Sequence, residues 1–339
     1  EYSLRRFCSS RDATRVASRD YDRSLTWLSA CAVETRDQAV DIEATYKARE
    51  IEGFLDLHFY RKIGFRLARL FARAGLTPNA VTLLGTAAGI TAGHLYFYRD
   101  LTTNVAGMVL HVLANTMDNA DGQLARLTNR QSPSGRVLDG IGDNLVFGSI
   151  YVHLCLRVVA EGGSAGVWLI ALLAALSHSV QSAAAEFCRD AYLRFAVGKS
   201  GLFDLSSDLR PQYERMTWSK HFLKKLLLRV HLNYVVEQEM VCPGCVRLEE
   251  TARTVFAGEV PHSFREGYRK RNWKMIRLLN FFRTNSRMFL LFLFLFLGWP
   301  VWYFTAELIP LNIFLVVLLL RQNAICRQME LLVTDHASD

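Results

Sequence analysis

The chain has 339 residues, of which 51% are hydrophobic and 21% charged, and its net charge is +8. This length allows one large domain or two smaller ones. The apolar residues are concentrated in a few blocks, which argues against an ordinary soluble globule. A positive charge suits nucleic acid or an anionic membrane surface. No DNA- or RNA-binding pattern occurs in the sequence, so the apolar blocks favour the membrane and exclude nucleic acid as a partner.

The cysteines are seven in number and scattered along the chain. A small secreted domain with a disulfide framework would show an even, compact set. We therefore expect reduced thiols on a cytoplasmic face. The first residue is Glu1 rather than methionine, which indicates a processed or engineered start, and no signal-peptide pattern follows it.

The first 78 residues are predicted to precede the membrane. Residues 1–50 are polar and arginine-rich, and we expect helical or partly ordered structure without an assignable role. Residues 51–78 are predicted to form a basic amphipathic juxtamembrane helix in the membrane interface. A solvated helix packed on its own domain is the alternative. The apolar face of the amphipathic pattern consists of Leu55, Phe59, Ile63, Leu67 and Leu70.

Six apolar stretches approach the length needed to cross about 30 Å of hydrocarbon. Four of them lie in residues 79–186 and two in residues 287–325, so the predicted fold is an all-α integral membrane protein with six transmembrane helices. Basic residues follow the second, fourth and sixth stretches, which predicts that both termini face the cytoplasm. The stretches are 80–98, 104–120, 137–157, 165–186, 287–304 and 307–321.

A long basic segment, residues 187–286, separates the fourth and fifth stretches, and a tail follows at 326–339. Residues 223–232 and 265–279 are predicted to form basic amphipathic helices in this cytoplasmic insert. The insert would bind anionic lipid headgroups or a phosphorylated substrate, or it would only fix orientation and surface attraction.

Within the insert, Cys242-Pro-Gly-Cys245 has the spacing of half a zinc site. The missing ligands would come from His231, His262 or a second subunit, since no other C-x-x-C is present. A plain turn is the alternative.

The pattern with the most chemical information is D-x-x-D-G-x-x-A-R, followed after eight residues by G-x-x-x-D-x-x-x-D. Side chains three and four residues apart share one face of a helix. The segment between the two halves contains Pro133 and two serines, which favours a turn. We therefore predict a helical hairpin with two carboxylates on each arm, facing the other arm.

Four carboxylates beside a membrane cannot all be ionised without compensating positive charge. Arg126 neutralises one at most. Divalent cations bound by oxygen ligands, Mg²⁺ or Mn²⁺, would neutralise the remaining negative charge, and they are the usual ions beside phosphates. Two such ions would clamp a diphosphate. Gly122 and Gly135 would let a bulky substrate approach the backbone.

This pattern resembles the CDP-alcohol phosphotransferase family at all eight of its defining positions. The resemblance extends over residues 60–325, and a Thr77-Pro78-Asn79 sequence of the kind common in that family begins the first apolar stretch. Taken alone, this sequence is a good helix start, with Thr77 as the cap. The eight positions are Asp118, Asp121, Gly122, Ala125, Arg126, Gly135, Asp139 and Asp143.

The resemblance implies a role for each matching residue. The two metal ions would be held by Asp118, Asp121 and Asp139. Asp143 would be the general base for the acceptor hydroxyl and would also touch a metal. The CDP moiety would contact Asn79, Asp118, Gly122, Ala125, Arg126 and Gly135.

The resemblance also implies the reaction. An acceptor alcohol would attack the phosphorus distal to cytidine in a CDP-alcohol, and CMP would leave. The family's usual form is a homodimer of six-helix subunits whose active site opens to the cytoplasm. The identity of both alcohols stays open: a lipid donor with a small polar acceptor, or a small head-group donor with a lipid acceptor.

Two other functions fit parts of the sequence. A membrane prenyltransferase also binds a diphosphate through aspartates and metal, but its two aspartate motifs normally lie far apart. A cation transporter would use the aspartates as an ion path, against which Arg126 and the fixed glycines argue. For His111, His178 and Gln181, polar residues within apolar stretches, we expect hydrogen-bonded packing or a place in a cavity wall.

Overall fold

A computed structural model describes residues 50–199, 203–256 and 259–338, and these residues contain helices and no strand. The predicted extension over 1–50 lies outside the described residues except for its last residue. Two π-helical turns (Asp56–Tyr60 and Leu193–Val197) and a 3₁₀ turn (Leu279–Phe282) adjoin the α-helices. The α-helices of the described part are α1 (Arg61–Arg73), α2 (Pro78–Leu95), α3 (Leu101–Leu127), α4 (Pro133–Ala160), α5 (Val167–Tyr192), α6 (Ser206–Arg215), α7 (Trp218–Val241), α8 (Pro243–Phe256), α9 (His262–Leu278), α10 (Thr284–Phe296), α11 (Pro300–Leu308) and α12 (Pro310–Ser338).

Side-chain caps fix where α2 and α4 begin. The Thr77 hydroxyl accepts a hydrogen bond from the Ala80 amide at 3.3 Å, and Pro78 occupies the first turn, so the predicted helix start is confirmed. Ser132 caps α4 in the same way, accepting from the Gly135 amide at 3.0 Å. The turn before Ser132 separates α3 from α4 and forms the predicted hairpin.

Helix α2 packs against both arms of the α3–α4 hairpin through three glycines spaced four residues apart. A Cβ atom at Gly85 would lie 3.1 Å from Met117 Cβ on α3. At Gly93 it would lie 2.9 Å from the backbone nitrogen of Ile150 on α4, and Gly89 contacts α4 equally closely. Small residues allow such close helix approach in membranes. The position of α2 therefore depends on these glycines, which have no side chain to hold the helices apart.

Three helices among the described residues are long and apolar enough to cross a membrane: Ser134–Ala160, Val167–Val197 and Pro300–Thr334. The shorter apolar helix Thr284–Phe296 does not reach that length. The predicted number of six transmembrane helices is therefore not confirmed. Helices α2 and α3 cover the first two predicted spans, but glycine in α2 and asparagine, histidine and aspartate in α3 lower their hydropathy.

The predicted fifth span, 287–304, is not one continuous helix. Helix α10 ends before Gly298, whose φ of 72° lies in the left-handed region, and Pro300 begins α11. Glycine after a helix end and proline at a helix start are the usual signals for such a break. The predicted sixth span, 307–321, begins instead at Pro310 and its helix continues to Ser338.

Helix α1 and the π-helical turn before it cover residues 56–73 of the predicted amphipathic segment, and α1 packs through small residues. Gly64 and Ala68 are buried against α3. The predicted apolar face points away from the helical core, since Leu55 is 49%, Phe59 41% and Leu70 58% exposed. A location in the membrane interface stays a prediction, and it would cover this exposed face.

The insert shares a hydrophobic core with the helices on either side of it. Leu248 of α8 and Tyr268 of α9 are fully buried in one cluster with residues of α5 and α12. A buried ion pair joins Arg194 to Glu249 at 3.1 Å. Both segments predicted to be helical, 223–232 and 265–279, lie largely within α7 and α9.

We predict that Gly93→Ala destabilises the protein by about 1–3 kcal/mol, because the added Cβ would force the backbone of α4 away from α2. Thermal unfolding in detergent measures the effect. Gly148→Ala on α4 is the matched control, since no atom lies within 4 Å of the Cβ it would add. The control should be neutral or slightly stabilising. Equal effects of the two substitutions would contradict the close approach of α2 and α4.

Candidate active site

The four predicted aspartates line a single cavity of about 560 Å³ between α2, α3, α4, α5 and α10. Asp118 and Asp121 project from α3, and Asp139 and Asp143 from α4. The hairpin turn brings these two pairs together from opposite arms. Asp118 and Asp143 are exposed to solvent, Asp139 is half-buried and Asp121 is buried.

Three of these carboxylates are close enough to share an ion. One oxygen from each of Asp118, Asp121 and Asp139 lies within 4.8 Å of the others. Hard oxygen donors at this spacing fit Mg²⁺ or Mn²⁺. Asp143 lies on the same cavity wall outside this group of three. The donor set therefore fits the metal that the sequence pattern implies.

Thr82 is a site residue that sequence reasoning missed. Its hydroxyl donates a hydrogen bond to Asp121 Oδ2 at 2.5 Å. Burial raises the pKa of Asp121 to about 7, and the Thr82 hydrogen bond acts in the opposite direction. The available signal was that Thr82 and Thr86, one helical turn apart, are polar positions in the apolar helix α2, and both line the cavity.

The residues predicted to contact CDP do not line the cavity itself, apart from Asp118. They lie around the α3–α4 turn, at the end of the hairpin beyond the aspartates. A Cβ atom at Gly135 would lie 3.3 Å from Asn79 Oδ1, so these two residues are neighbours. Only Arg126 approaches the position of a Cβ at Gly122, at 3.6 Å. The glycine face of α3 is therefore open to a large group.

The opposite wall of the cavity contains three arginines from distant parts of the chain, Arg189, Arg283 and Arg287. Arg283 forms an ion pair with Asp56 at 2.6 Å, and Arg287 forms one with the fully buried Glu307. Arg189 donates from Nη2 to a backbone carbonyl at 2.8 Å, while its buried Nε has no hydrogen-bond partner among the described residues.

The family model of the CDP-alcohol phosphatidyltransferase matches residues 75–203, a range that includes all four aspartates. Residues 75–203 are therefore similar to a CDP-alcohol phosphatidyltransferase domain. Together with the three long apolar helices, this similarity indicates a membrane protein.

Several proteins resemble part of the chain. It is 34% identical over 146 residues to a bifunctional IPC transferase and DIPP synthase of Thermococcus kodakarensis, covering 42% of the chain and 32% of that protein. It is 30% identical over 139 residues to a phosphatidylinositol phosphate synthase of Mycobacteroides abscessus, covering 39% of the chain and 59% of that protein. An archaetidylinositol phosphate synthase of Pyrococcus horikoshii is 28% identical over 136 residues, covering 40% of the chain and 69% of that protein. The matches thus span about one third to three fifths of the first two relatives.

The polar residues within the apolar helices are hydrogen-bonded, and two of them also line the cavity. His111 lies 3.2 Å from the Tyr96 hydroxyl, and His178 lies 2.6 Å from Arg287 Nη1. Gln181 accepts from Arg287 and donates to the Glu307 carbonyl. The cavity therefore has a polar lining that continues into the helix bundle.

We predict that the affinity for Mn²⁺ or Mg²⁺ rises as pH increases through about 7, since the folded-state pKa of Asp121 is raised to about 7 and the metal must displace its proton. Titration of Mn²⁺ followed by electron paramagnetic resonance measures this affinity. The increase should be at most about tenfold per pH unit for one released proton. Affinity that is flat between about pH 6 and 8 would contradict competition between proton and metal at Asp121.

Proposed function

We propose that the chain is a membrane enzyme of phospholipid synthesis that transfers a substituted phosphate group from a CDP-alcohol to an acceptor alcohol, with release of CMP. The observation that carries this proposal is the convergence of Asp118, Asp121 and Asp139 within 4.8 Å, with Asp143 on the same cavity. The family match over residues 75–203 supports the same reaction class.

Asp118, Asp121 and Asp139 would hold two divalent ions, which supply positive charge to the diphosphate when bound. Asp143 takes the proton of the acceptor hydroxyl. The acceptor oxygen then forms a bond to the phosphorus distal to cytidine, and the bond from that phosphorus to the bridging oxygen breaks. CMP leaves with the electron pair, and Asp143 later returns its proton to solvent.

The CDP moiety is proposed to lie beside the α3–α4 turn. Gly122 and Gly135 leave the backbone accessible there, Asn79 adjoins Gly135, and Ala125 with Arg126 extends the same face of α3. Arg126 is exposed and provides a cation for a phosphate oxygen. The diphosphate would then extend from this face toward the aspartates.

For the acceptor, we propose an alcohol that itself carries a phosphate, with a CDP-linked lipid as donor. The three arginines across the cavity from the aspartates support this choice, and two relatives are named phosphatidylinositol phosphate and archaetidylinositol phosphate synthases. Arg283 and Arg287 are already paired with carboxylates, so Arg189 is the main candidate for the phosphate. A homodimer and an active site facing the cytoplasm belong to the same proposal.

We predict that Asp143→Asn abolishes turnover but largely spares CDP-alcohol binding, because Asp143 lies outside the group of three aspartates. Asp118→Asn should weaken metal and nucleotide binding together. The measurements are CMP release from CDP-diacylglycerol, CDP-choline, CDP-ethanolamine and CDP-inositol with Mg²⁺ or Mn²⁺, and binding of the same donors. A near-normal rate for Asp143→Asn would refute its role as base, and failure to bind any cytidine nucleotide would refute the reaction class.

We predict that Arg189→Gln raises the KM for a phosphorylated acceptor by about 10–100-fold, as expected for one lost charge-assisted hydrogen bond. The KM for the CDP-lipid should change little. The control is Arg210→Gln, an exposed arginine on α6 that does not line the cavity. The test is steady-state kinetics with inositol phosphate, glycerol phosphate, inositol and serine as acceptors. If Arg189→Gln and the control behave alike, the acceptor phosphate does not bind at Arg189.

A further inference from the structure

Four cysteines from three separate parts of the chain meet in one buried cluster. Cys188 lies on α5, Cys242 and Cys245 lie at the junction of α7 and α8, and Cys326 lies on α12. Each is at most 1% exposed and none forms a disulfide. Only Cys155 among the described cysteines lies elsewhere. Chance packing seldom gathers four thiols from such distant positions.

The sulfur atoms are in mutual contact. Cys245 Sγ lies 3.2 Å from Cys242 Sγ and 3.4 Å from Cys326 Sγ. Cys188 is buried in the same hydrophobic cluster as these three cysteines. The cluster is therefore linked through Cys245, and its described sulfur–sulfur separations are close to the edge of about 3.8 Å of a tetrahedral site with zinc–sulfur bonds of about 2.3 Å.

We propose that these four cysteines bind one structural Zn²⁺ ion, at a site separate from the aspartates. A C-x-x-C pair with two more distant cysteines is a common ligand arrangement for closed tetrahedral zinc sites. To admit the ion, rotation of the thiol side chains would have to widen the two short separations by about half an ångström and bring the other sulfur pairs to the same distance. Binding would displace the thiol protons to solvent, since zinc binds thiolates.

One side-chain amide lies beside two of the sulfurs, as hydrogen-bond donors do in thiolate metal sites. Gln322 Nε2 lies 3.3 Å from both Cys245 Sγ and Cys326 Sγ. The Gly244 amide donates to Asn323 Oδ1 at 2.7 Å, which anchors the C-x-x-C loop on α12. Gln322 Nε2 also donates to the Tyr268 hydroxyl at 2.9 Å, so this amide connects the sulfur cluster to α9.

The histidines considered from sequence do not complete the site. His231 is half exposed and faces Asp204 at 3.4 Å, and His262 is exposed on α9 beside Glu266. Cys188 and Cys326 take the two positions instead, so a single subunit supplies all four ligands. The ion would join the insert to α5 and α12, and its ligand Cys188 directly precedes Arg189 of the cavity.

The test is the zinc content of the purified full-length protein after a wash with EDTA, measured by inductively coupled plasma mass spectrometry. We expect about one zinc ion per chain. Cys188→Ser and Cys326→Ser should each lower the zinc content by roughly tenfold or more. The matched control is Cys155→Ser, a buried cysteine of α4 outside the cluster, which should retain zinc.

A second measurement on the wild-type protein does not depend on whether the variants fold. Exchange of the ion for Co²⁺ should produce the intense visible absorption of tetrahedral cobalt thiolate, and denaturation under non-reducing conditions should then expose all the cluster's thiols to alkylation. Absence of both zinc and the cobalt signal, with all thiols reactive, would show packed thiols only. Loss of two reactive thiols that return on reduction would show a disulfide. Either result overturns the zinc site, and neither affects the proposed transferase reaction.

Discussion

The close packing of α2 against both arms of the hairpin is the constraint on which the active site depends. Glycine at positions 85, 89 and 93 brings the backbone of α2 within contact of α3 and α4. This contact fixes the separation between the arms, and hence the distance between the two pairs of aspartates. Four carboxylates around one cavity repel each other, so their convergence must be stabilised by helix packing and by bound cations. Thr82 contributes from α2 itself, by its hydrogen bond to Asp121.

The charged residues of the cavity come from different helices. The four aspartates of the motif come from one hairpin, whereas the arginines come from the start of α10 and the end of α5, where Glu186 and Asp190 also line the cavity. Arg283 and Arg287 are paired with carboxylates, which neutralise most of their positive charge. Their main role is therefore to hold this part of the cavity in place. The buried Nε of Arg189 has no hydrogen-bond partner among the described residues, so this is the guanidinium that we propose for a further anion. A donor diphosphate at one wall and an acceptor phosphate at the other would avoid direct repulsion between them.

The local parts of this structure could be predicted from the sequence, and the long-range parts could not. The spacing of the aspartates placed them on two helical faces, and Thr77-Pro78 defined a helix start, because both depend on residues within a few turns. One continuous helix was predicted across Gly298, because the apolar residues around it outweighed the helix-ending signal of Gly298 and Pro300. No periodicity indicates that Arg189 would reach the cavity. Nor does spacing alone show that two cysteines, one on α5 and one on α12, would meet the C-x-x-C pair.

The two ion sites proposed for this chain differ in ligand class, and this difference would keep their metals apart. Carboxylate oxygens select hard ions that retain water and bind phosphate, whereas thiolates select soft or borderline ions. The carboxylates lie on a cavity that admits substrate, while the sulfurs are sealed in a core of α5, α8, α9 and α12. A closed site suits an ion that holds structure, because it has no open coordination position for substrate. Helix α5 contributes to both regions, since Cys188 and Arg189 are consecutive. An ion that fixes the position of Cys188 would therefore also restrict the position of Arg189 in the cavity.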